Sequence, residues 1–147
     1  MSAEAERWAR ATAGRGVGVR AVPEGTLVIL ERLGSRFLAV RHGAFEQLSA
    51  TLVPRFEDEP AGVRDAVLTS LARAHVFTLG ARAGIDRAGN LAVVAEAEAP
   101  VADDALAGWL MRTQVVANAM LAIVTVARGT GQPLGHDEVA RLFEARQ

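Results

Sequence analysis

The chain contains no cysteine and no lysine, and only 5% of its residues are aromatic. Without cysteine, disulfide bonds, thiolate metal sites and a thiol nucleophile are excluded. With so few aromatics, the core must be built from Leu, Val, Ile and Ala, with Trp8 and Trp109 among its largest pieces. The charged segment Met1–Arg10 has no apolar stretch of the kind that a signal peptide needs. We therefore expect a cytoplasmic protein.

Neither charge sign dominates, since 16 basic and 17 acidic residues leave a formal net charge of −1. The arginines are spread along the chain and alternate with acids, whereas tight nucleic-acid binding needs clustered cations. Direct binding of nucleic acid is therefore not expected. Half of the 147 residues are hydrophobic, which supports a folded core and argues against disorder.

Hydrophobic periodicity predicts an α+β domain with the order α-β-β-β-α-β-β-α, an antiparallel sheet and helices packed on it. An optional first strand and a short closing helix complete the order. The predicted helices are Ala3–Ala13, Ala61–His75, Asp104–Arg128 and Asp137–Ala145. The predicted strands are Val17–Val22 (optional), Thr26–Leu33, Arg36–His42, Ser49–Phe56, Thr78–Asp86 and Leu91–Ala99. We expect one domain, 1–147, with its core in 3–128 and a C-terminal helical extension in 135–147.

Turn residues separate these segments. Pro23-Glu24-Gly25 and Gly34-Ser35 are typical of hairpin turns, and Gly43–Gln47 is expected to be a connector. Pro54 has no amide hydrogen, so the strand Ser49–Phe56 is predicted to lie at a sheet edge or to end in a bulge.

The predicted helix Asp104–Arg128 carries two apolar faces. The broad face is expected to lie on the sheet, and a polar seam of Gln114, Asn118 and Thr125 borders it on one side. The broad face comprises Leu106, Trp109, Leu110, Thr113, Ala117, Met120, Leu121 and Val124. The second apolar stripe comprises Met111, Val115, Ala122 and Val126.

Two interpretations of this second stripe remain open: packing against the closing helix, or pairing with the same helix of another subunit. Pairing is slightly favoured, because two-fold dimers are the commonest oligomers. Asn118 is then placed to fix the register of the pair. A locally bonded or solvent-exposed Asn118 fits the pattern equally well. The nearly apolar segment Val115–Ala127 is shorter than the roughly 20 residues of a membrane span, so no membrane partner is expected.

The order of elements resembles the YbjN family and the class I type III secretion chaperones, which share a fold. The segment Gly84–Ala97, "GIDRAGNLAVVAEA", is similar to the strand, Asp-x-x-Gly and hydrophobic strand that precede the last helix in that family. The resemblance covers roughly residues 3 to 128. It implies a non-enzymatic homodimer that holds a client protein, as a chaperone or a regulatory adaptor.

Two departures favour the YbjN side of this resemblance. Secretion chaperones are typically strongly acidic, and this chain is not. The closing helix Asp137–Ala145 also lies outside the shared pattern. It is placed either to cover or to extend a surface used for dimerisation.

Residues suited to chemistry do not form a recognisable site. His42, His75 and His136 have no second ligand at metal-binding spacing. The run Gly14–Gly18 follows a helix and enters a strand, the reverse of a phosphate-binding loop. Glu57–Glu59 is interpreted as a solvated acidic turn. Ser35, Ser49 and Ser70 lack the context of an activated nucleophile. No catalytic residue, metal or cofactor is predicted.

The favoured function is therefore that of a homodimeric protein-binding module. Client binding is assigned to the region Ser49–Phe56, by strand addition or groove packing, and to an acidic strand face further along the chain. The predicted client-binding residues are Leu52, Pro54, Phe56, Glu96 and Glu98. The alternative is a small-ligand-sensing or enzymatic α+β domain, which requires a deep pocket lined by converging polar groups.

Overall fold

The structure is a computed structural model that describes residues 2–23, 27–78 and 80–145. Its helices are α1 (Ala3–Ala11), α2 (Ala61–Ala74), α3 (Leu106–Thr130) and α4 (His136–Glu144). Its strands are β1 (Gly18–Ala21), β2 (Val28–Arg32), β3 (Ser35–His42), β4 (Phe45–Val53), β5 (Ala81–Ile85) and β6 (Leu91–Glu98). This order, with the optional first strand and the closing helix present, confirms the predicted fold class.

Parts of several predicted elements lie outside the described residues. They are Met1, the turn residues Glu24 and Gly25, the strand residues Thr26 and Leu79, and the last two residues of the C-terminal extension, Arg146 and Gln147.

The six strands form one antiparallel sheet in the order β1-β2-β3-β4-β6-β5. Strand β4 lies between β3 and β6, so the expectation of a free edge at Ser49–Phe56 is wrong. The strand begins at Phe45 because a two-residue turn after His42 returns the chain directly beside β3. Gly43 takes a φ of 55° at the first position of that turn, as a type II′ hairpin requires. Pro54 lies just beyond the strand, where its missing N–H costs no ladder bond.

The β2–β3 hairpin turns one residue earlier than predicted. Arg32 pairs with Ser35, so the two loop residues are Leu33 and Gly34. Both have positive φ, at 50° and 77°, which is the conformation of a type I′ turn. Leu33 is 82% exposed, and its backbone takes a left-handed conformation that residues other than Gly, Asn and Asp adopt at a cost.

The chain packs as two compact units, the first comprising residues 1–50 and 94–114. In this unit, register pairs place Phe37 opposite Leu30 and Ala39 opposite Leu48, and all four side chains are buried. Trp8 of α1 stacks on Trp109 of α3, with ring centroids 6.3 Å apart.

The second unit comprises residues 51–93 and 115–147, and α2 and α4 pack together within it. The Ser70 hydroxyl, which is fully buried, donates to the carbonyl of Ala66 at 2.7 Å and accepts the amide of Leu134 at 2.9 Å. Phe143 of α4 stacks on Phe77 at 5.5 Å. These contacts connect α2 to the segment that enters α4.

Candidate protein-interaction surface

Helix α3 buries most of the broad face predicted for it. Seven of the eight predicted side chains are buried, and the exception is Leu121, which is 45% exposed. At 100° per residue Leu121 lies at the margin of the broad face. Helix periodicity alone therefore could not predict that its side chain is exposed. The buried members are Leu106, Trp109, Leu110, Thr113, Ala117, Met120 and Val124.

The second apolar stripe of α3 is partly exposed. Val115 is 37% exposed and Val126 is 40% exposed, Asn118 is exposed between them, and Ala122 is half-buried. These four residues, all within the second unit, are named here the α3 stripe. Met111, also half-buried, lies four residues before Val115 on the same helix and belongs to the first unit.

The polar seam beside the α3 stripe is only partly as predicted. Gln114 is 3% exposed, so it belongs to the interior and not to a surface seam. Its Oε1 accepts from Arg32 Nη1 at 2.6 Å and its Nε2 donates to the Arg32 carbonyl at 3.0 Å. Thr125 is exposed, but its hydroxyl donates to the carbonyl of Leu121 at 2.8 Å. Asn118 is therefore the exposed polar side chain within the stripe itself.

The predicted client-binding residues are unequally accessible. Pro54 is exposed and Leu52 is half-buried, whereas Phe56 has no exposed surface. The chain bends at Arg55, which takes a φ of 54°, and a short 3-10 helix, Phe56–Asp58, directs the Phe56 ring into the core. The assignment of Phe56 to client binding is therefore wrong for the chain in this conformation.

The acidic residues of the predicted client surface lie elsewhere in the chain. Glu96 and Glu98 belong to β6, in the first unit, and both are exposed. Their spacing of two residues places them on one face of the strand. Strand β6 is paired on both sides, with β4 and β5, so these carboxylates present a charged face and not a strand edge.

A buried ion cluster in the first unit was missed by the sequence analysis. Arg7 of α1 binds Glu46 of β4 through two hydrogen bonds, Nη1 to Oε1 at 2.6 Å and Nη2 to Oε2 at 3.2 Å. Arg7 Nε donates to Asp103 at 2.9 Å, and Nη2 also donates to the carbonyl of Val101. Glu46 is 3% exposed and accepts the Val101 amide at 2.5 Å.

The charges of this cluster stabilise each other. The hydrogen bonds that Arg7 donates to Glu46 outweigh burial and raise the pKa of Arg7. Burial by itself would raise the pKa of Glu46, but hydrogen bonds from Arg7 and from the Val101 amide, with the charges of Arg7 and Arg41, lower it below its ordinary value. All three Arg7 nitrogens donate to oxygens, so the cluster holds elements together and presents no free base. In the sequence, this cluster could have been indicated only by Glu46, a charged residue two positions from Leu48 and therefore on the same strand face. The segment Gly43–Gln47 was predicted to be a connector, so Glu46 was not considered as part of a strand.

The remaining candidate residues have local roles. His75 Nε2 accepts the Ala83 amide at 3.2 Å, and Glu59 of the acidic turn pairs with Arg128. Gly14 and Gly16 take positive φ where the chain leaves α1, as expected of a helix stop. No group of three or more His, Asp or Glu residues suited to a metal ion occurs in the described part of the chain.

One helical stretch, Asp103–Thr130, is long and apolar enough to cross a membrane by length and composition. Half of its most apolar window is buried inside the chain, and the core helix of a soluble protein passes the same test. The stretch is longer than the predicted apolar segment Val115–Ala127, because it spans all of α3 and the 3-10 turn Asp103–Ala105 that enters it.

No family model matches the chain, and no curated protein matches it. Among solved structures it resembles a chain of the heterodimeric complex ExoU-SpcU from the type III secretion system of Pseudomonas aeruginosa. The two chains are 18% identical, and the match covers 96% of this chain and 98% of the other with a TM-score of 0.41. A likeness at this level is too weak to carry a function from one protein to the other.

Proposed function

We propose that this chain is a non-enzymatic, cytoplasmic protein-binding domain that acts as a homodimer, with the α3 stripe as the dimer seam. In this role it holds a client protein, as a chaperone-like or regulatory adaptor of the YbjN type. The observation that supports the proposal most directly is the exposure of Val115 and Val126 on a helix whose other face is buried.

Burial of the stripe between two subunits contributes favourable free energy to association. Fully burying one Val side chain contributes roughly 1.5–3 kcal/mol, so completing the burial of partly exposed valines on two subunits contributes several kcal/mol in total. Met111 extends the apolar row by one turn, and Ala122 is small enough to allow close helix approach. Asn118, exposed within the row, is suited to pair with its symmetry mate and so to select one register.

Client binding is proposed to use side-chain contacts and not strand addition at β4, because β4 has a strand on each side. Pro54 and the half-buried Leu52 provide apolar surface, and Glu96 and Glu98 provide negative charge for a basic segment. An extended client peptide can contact either patch through its side chains.

The dimer seam is tested by the solution mass of the double variant Val115→Gln/Val126→Gln. Light scattering should give twice 15.5 kDa for the unmodified chain and the single mass for the variant at the same concentration. Leu68→Gln is the matched control, because Leu68 is 39% exposed but lies on α2 outside the stripe. It should remain dimeric. A concentration-independent monomer of the unmodified chain contradicts the seam.

The client surface is tested by affinity capture with quantitative mass spectrometry. The unmodified chain should recover a reproducible protein partner, and Glu96→Arg/Glu98→Arg should recover it several-fold less. Leu68→Gln should recover it as the unmodified chain does. Repeated capture of no protein, or equal recovery by the charge-reversed variant, argues against the assigned surface.

A further inference from the structure

Strand β5 is an edge strand of the sheet. It pairs with β6 on one side, and among the described residues no strand lies on its other side. The outer N–H and C=O groups of such an edge strand are a template for pairing with another chain. Proteins avoid this pairing by covering the edge, charging it or shortening it. The groups that meet the outer side of β5 therefore decide whether another strand can add there.

The residues just before β5 bind its backbone at three points. The Ala81 amide donates to the Thr78 carbonyl at 2.8 Å, and the Ala81 carbonyl accepts from the Thr78 hydroxyl at 2.9 Å. Two residues further on, the Ala83 amide donates to His75 Nε2 at 3.2 Å. None of these bonds involves β6.

These three bonds lie on the side of β5 away from β6. In an antiparallel strand the backbone groups of alternate residues point to the same side, so Ala81 and Ala83 share a direction. Because both amides are taken by residues outside β6, that direction is the open edge. Thr78 is 2% exposed, and its hydroxyl also lies 3.1 Å from the His75 carbonyl, which holds the 3-10 helix His75–Phe77 in place. His75 and Thr78 are named here the edge cover.

We propose that the edge cover blocks strand addition to β5, and that without it β5 pairs with β5 of a second copy of this chain. Within the edge cover, the His75 imidazole contributes most to blocking strand addition, because it accepts the hydrogen bond of the Ala83 amide in the middle of the strand. We expect a second copy of this chain to pair with the uncovered edge of β5. The small side chains of Ala81 and Ala83 allow another strand to approach, and Ile85, 42% exposed, adds apolar surface at the strand end. An antiparallel pair of identical strands also satisfies two-fold symmetry.

The test uses His75→Ala in the Val115→Gln/Val126→Gln background, so that pairing through the α3 stripe does not contribute. At a concentration low enough for the variant to remain monomeric, hydrogen exchange by NMR should show the Ala83 amide exchanging at least about fivefold faster than in the background chain, since a bond worth about 1 kcal/mol or more is lost. Light scattering should show a mass increase that grows with concentration. His42→Ala, which removes another exposed histidine, should change neither quantity.

Adding Ala83→Pro identifies the surface responsible. Proline removes the outward N–H of residue 83 and leaves the bonds to β6 intact, because the Ala83 amide does not serve β6. The His75→Ala/Ala83→Pro variant, with an unchanged circular dichroism spectrum, should return to the mass of the His42→Ala control. Unchanged exchange of the Ala83 amide in monomeric His75→Ala overturns the proposal. So does the absence of a mass increase, or an increase that persists with Ala83→Pro. None of these results depends on whether the α3 stripe pairs.

Discussion

Replacing Glu46 with Gln should destabilise the protein strongly, although the two side chains have nearly the same shape. Glu46 is 3% exposed and receives two hydrogen bonds from Arg7 and one from the Val101 amide. A neutral amide removes the charge that compensates the buried guanidinium of Arg7. It also places an NH₂ group against donors, where an acceptor is needed.

The magnitude follows from the burial of both partners. Breaking a buried ion pair by changing one partner costs about 3–5 kcal/mol. We expect the lower end, about 3 kcal/mol, because Asp103 and Glu4 still accept from Arg7. For a chain of this length that corresponds to a fall in Tm of about 6–12 °C.

Urea unfolding followed by circular dichroism measures this loss. Glu31→Gln is the control, because Glu31 also pairs with an arginine, Arg36 at 3.2 Å, but its side chain is 51% exposed. Its effect should stay below about 1 kcal/mol, as for other surface ion pairs. The double variant Arg7→Met/Glu46→Leu should lose less than Glu46→Gln alone, because it leaves neither charge buried without its main partner.

The difference between the unmodified chain and Glu46→Gln should also depend on pH. The pKa of Glu46 is lowered in the folded state, so the charged carboxylate stabilises the fold fully above its unfolded pKa of about 4.3. The advantage should shrink as the pH falls below that value towards the folded-state pKa. A loss under about 0.5 kcal/mol at neutral pH, or a difference that is constant from pH 7 to pH 3, refutes this account of the cluster.

Two further substitutions test local geometry. Leu33→Asn should raise the free energy of unfolding by about 1 kcal/mol, since Asn tolerates the positive φ of the turn better than Leu. Urea midpoints measure this gain, and Val76→Asn, at another highly exposed apolar position, should not reproduce it. Ser70→Ala should cost about 1–3 kcal/mol by leaving the buried Leu134 amide without its acceptor, and the midpoint should be unchanged if that amide finds another partner.

The dimer seam was predicted from helix periodicity, and the structure leaves Val115 and Val126 partly exposed as that prediction requires. Their pairing with a second subunit stays a prediction. The client surface was harder to predict, since the burial of Phe56 depends on a left-handed residue at Arg55 that no periodicity reveals. Leu52 and Pro54, which precede that bend, retain some exposure.

The sequence by itself determined where the helices and most strands lie. The first residue of α2 was placed correctly and its last to within one residue, because helix periodicity and the Pro60 boundary are local properties of the chain. Only the tertiary structure decided that β4 is an inner strand, that Gln114 is buried against Arg32, and that Arg7 meets Glu46. Each of these depends on residues distant in sequence, and local patterns carry no information about which distant segments become neighbours.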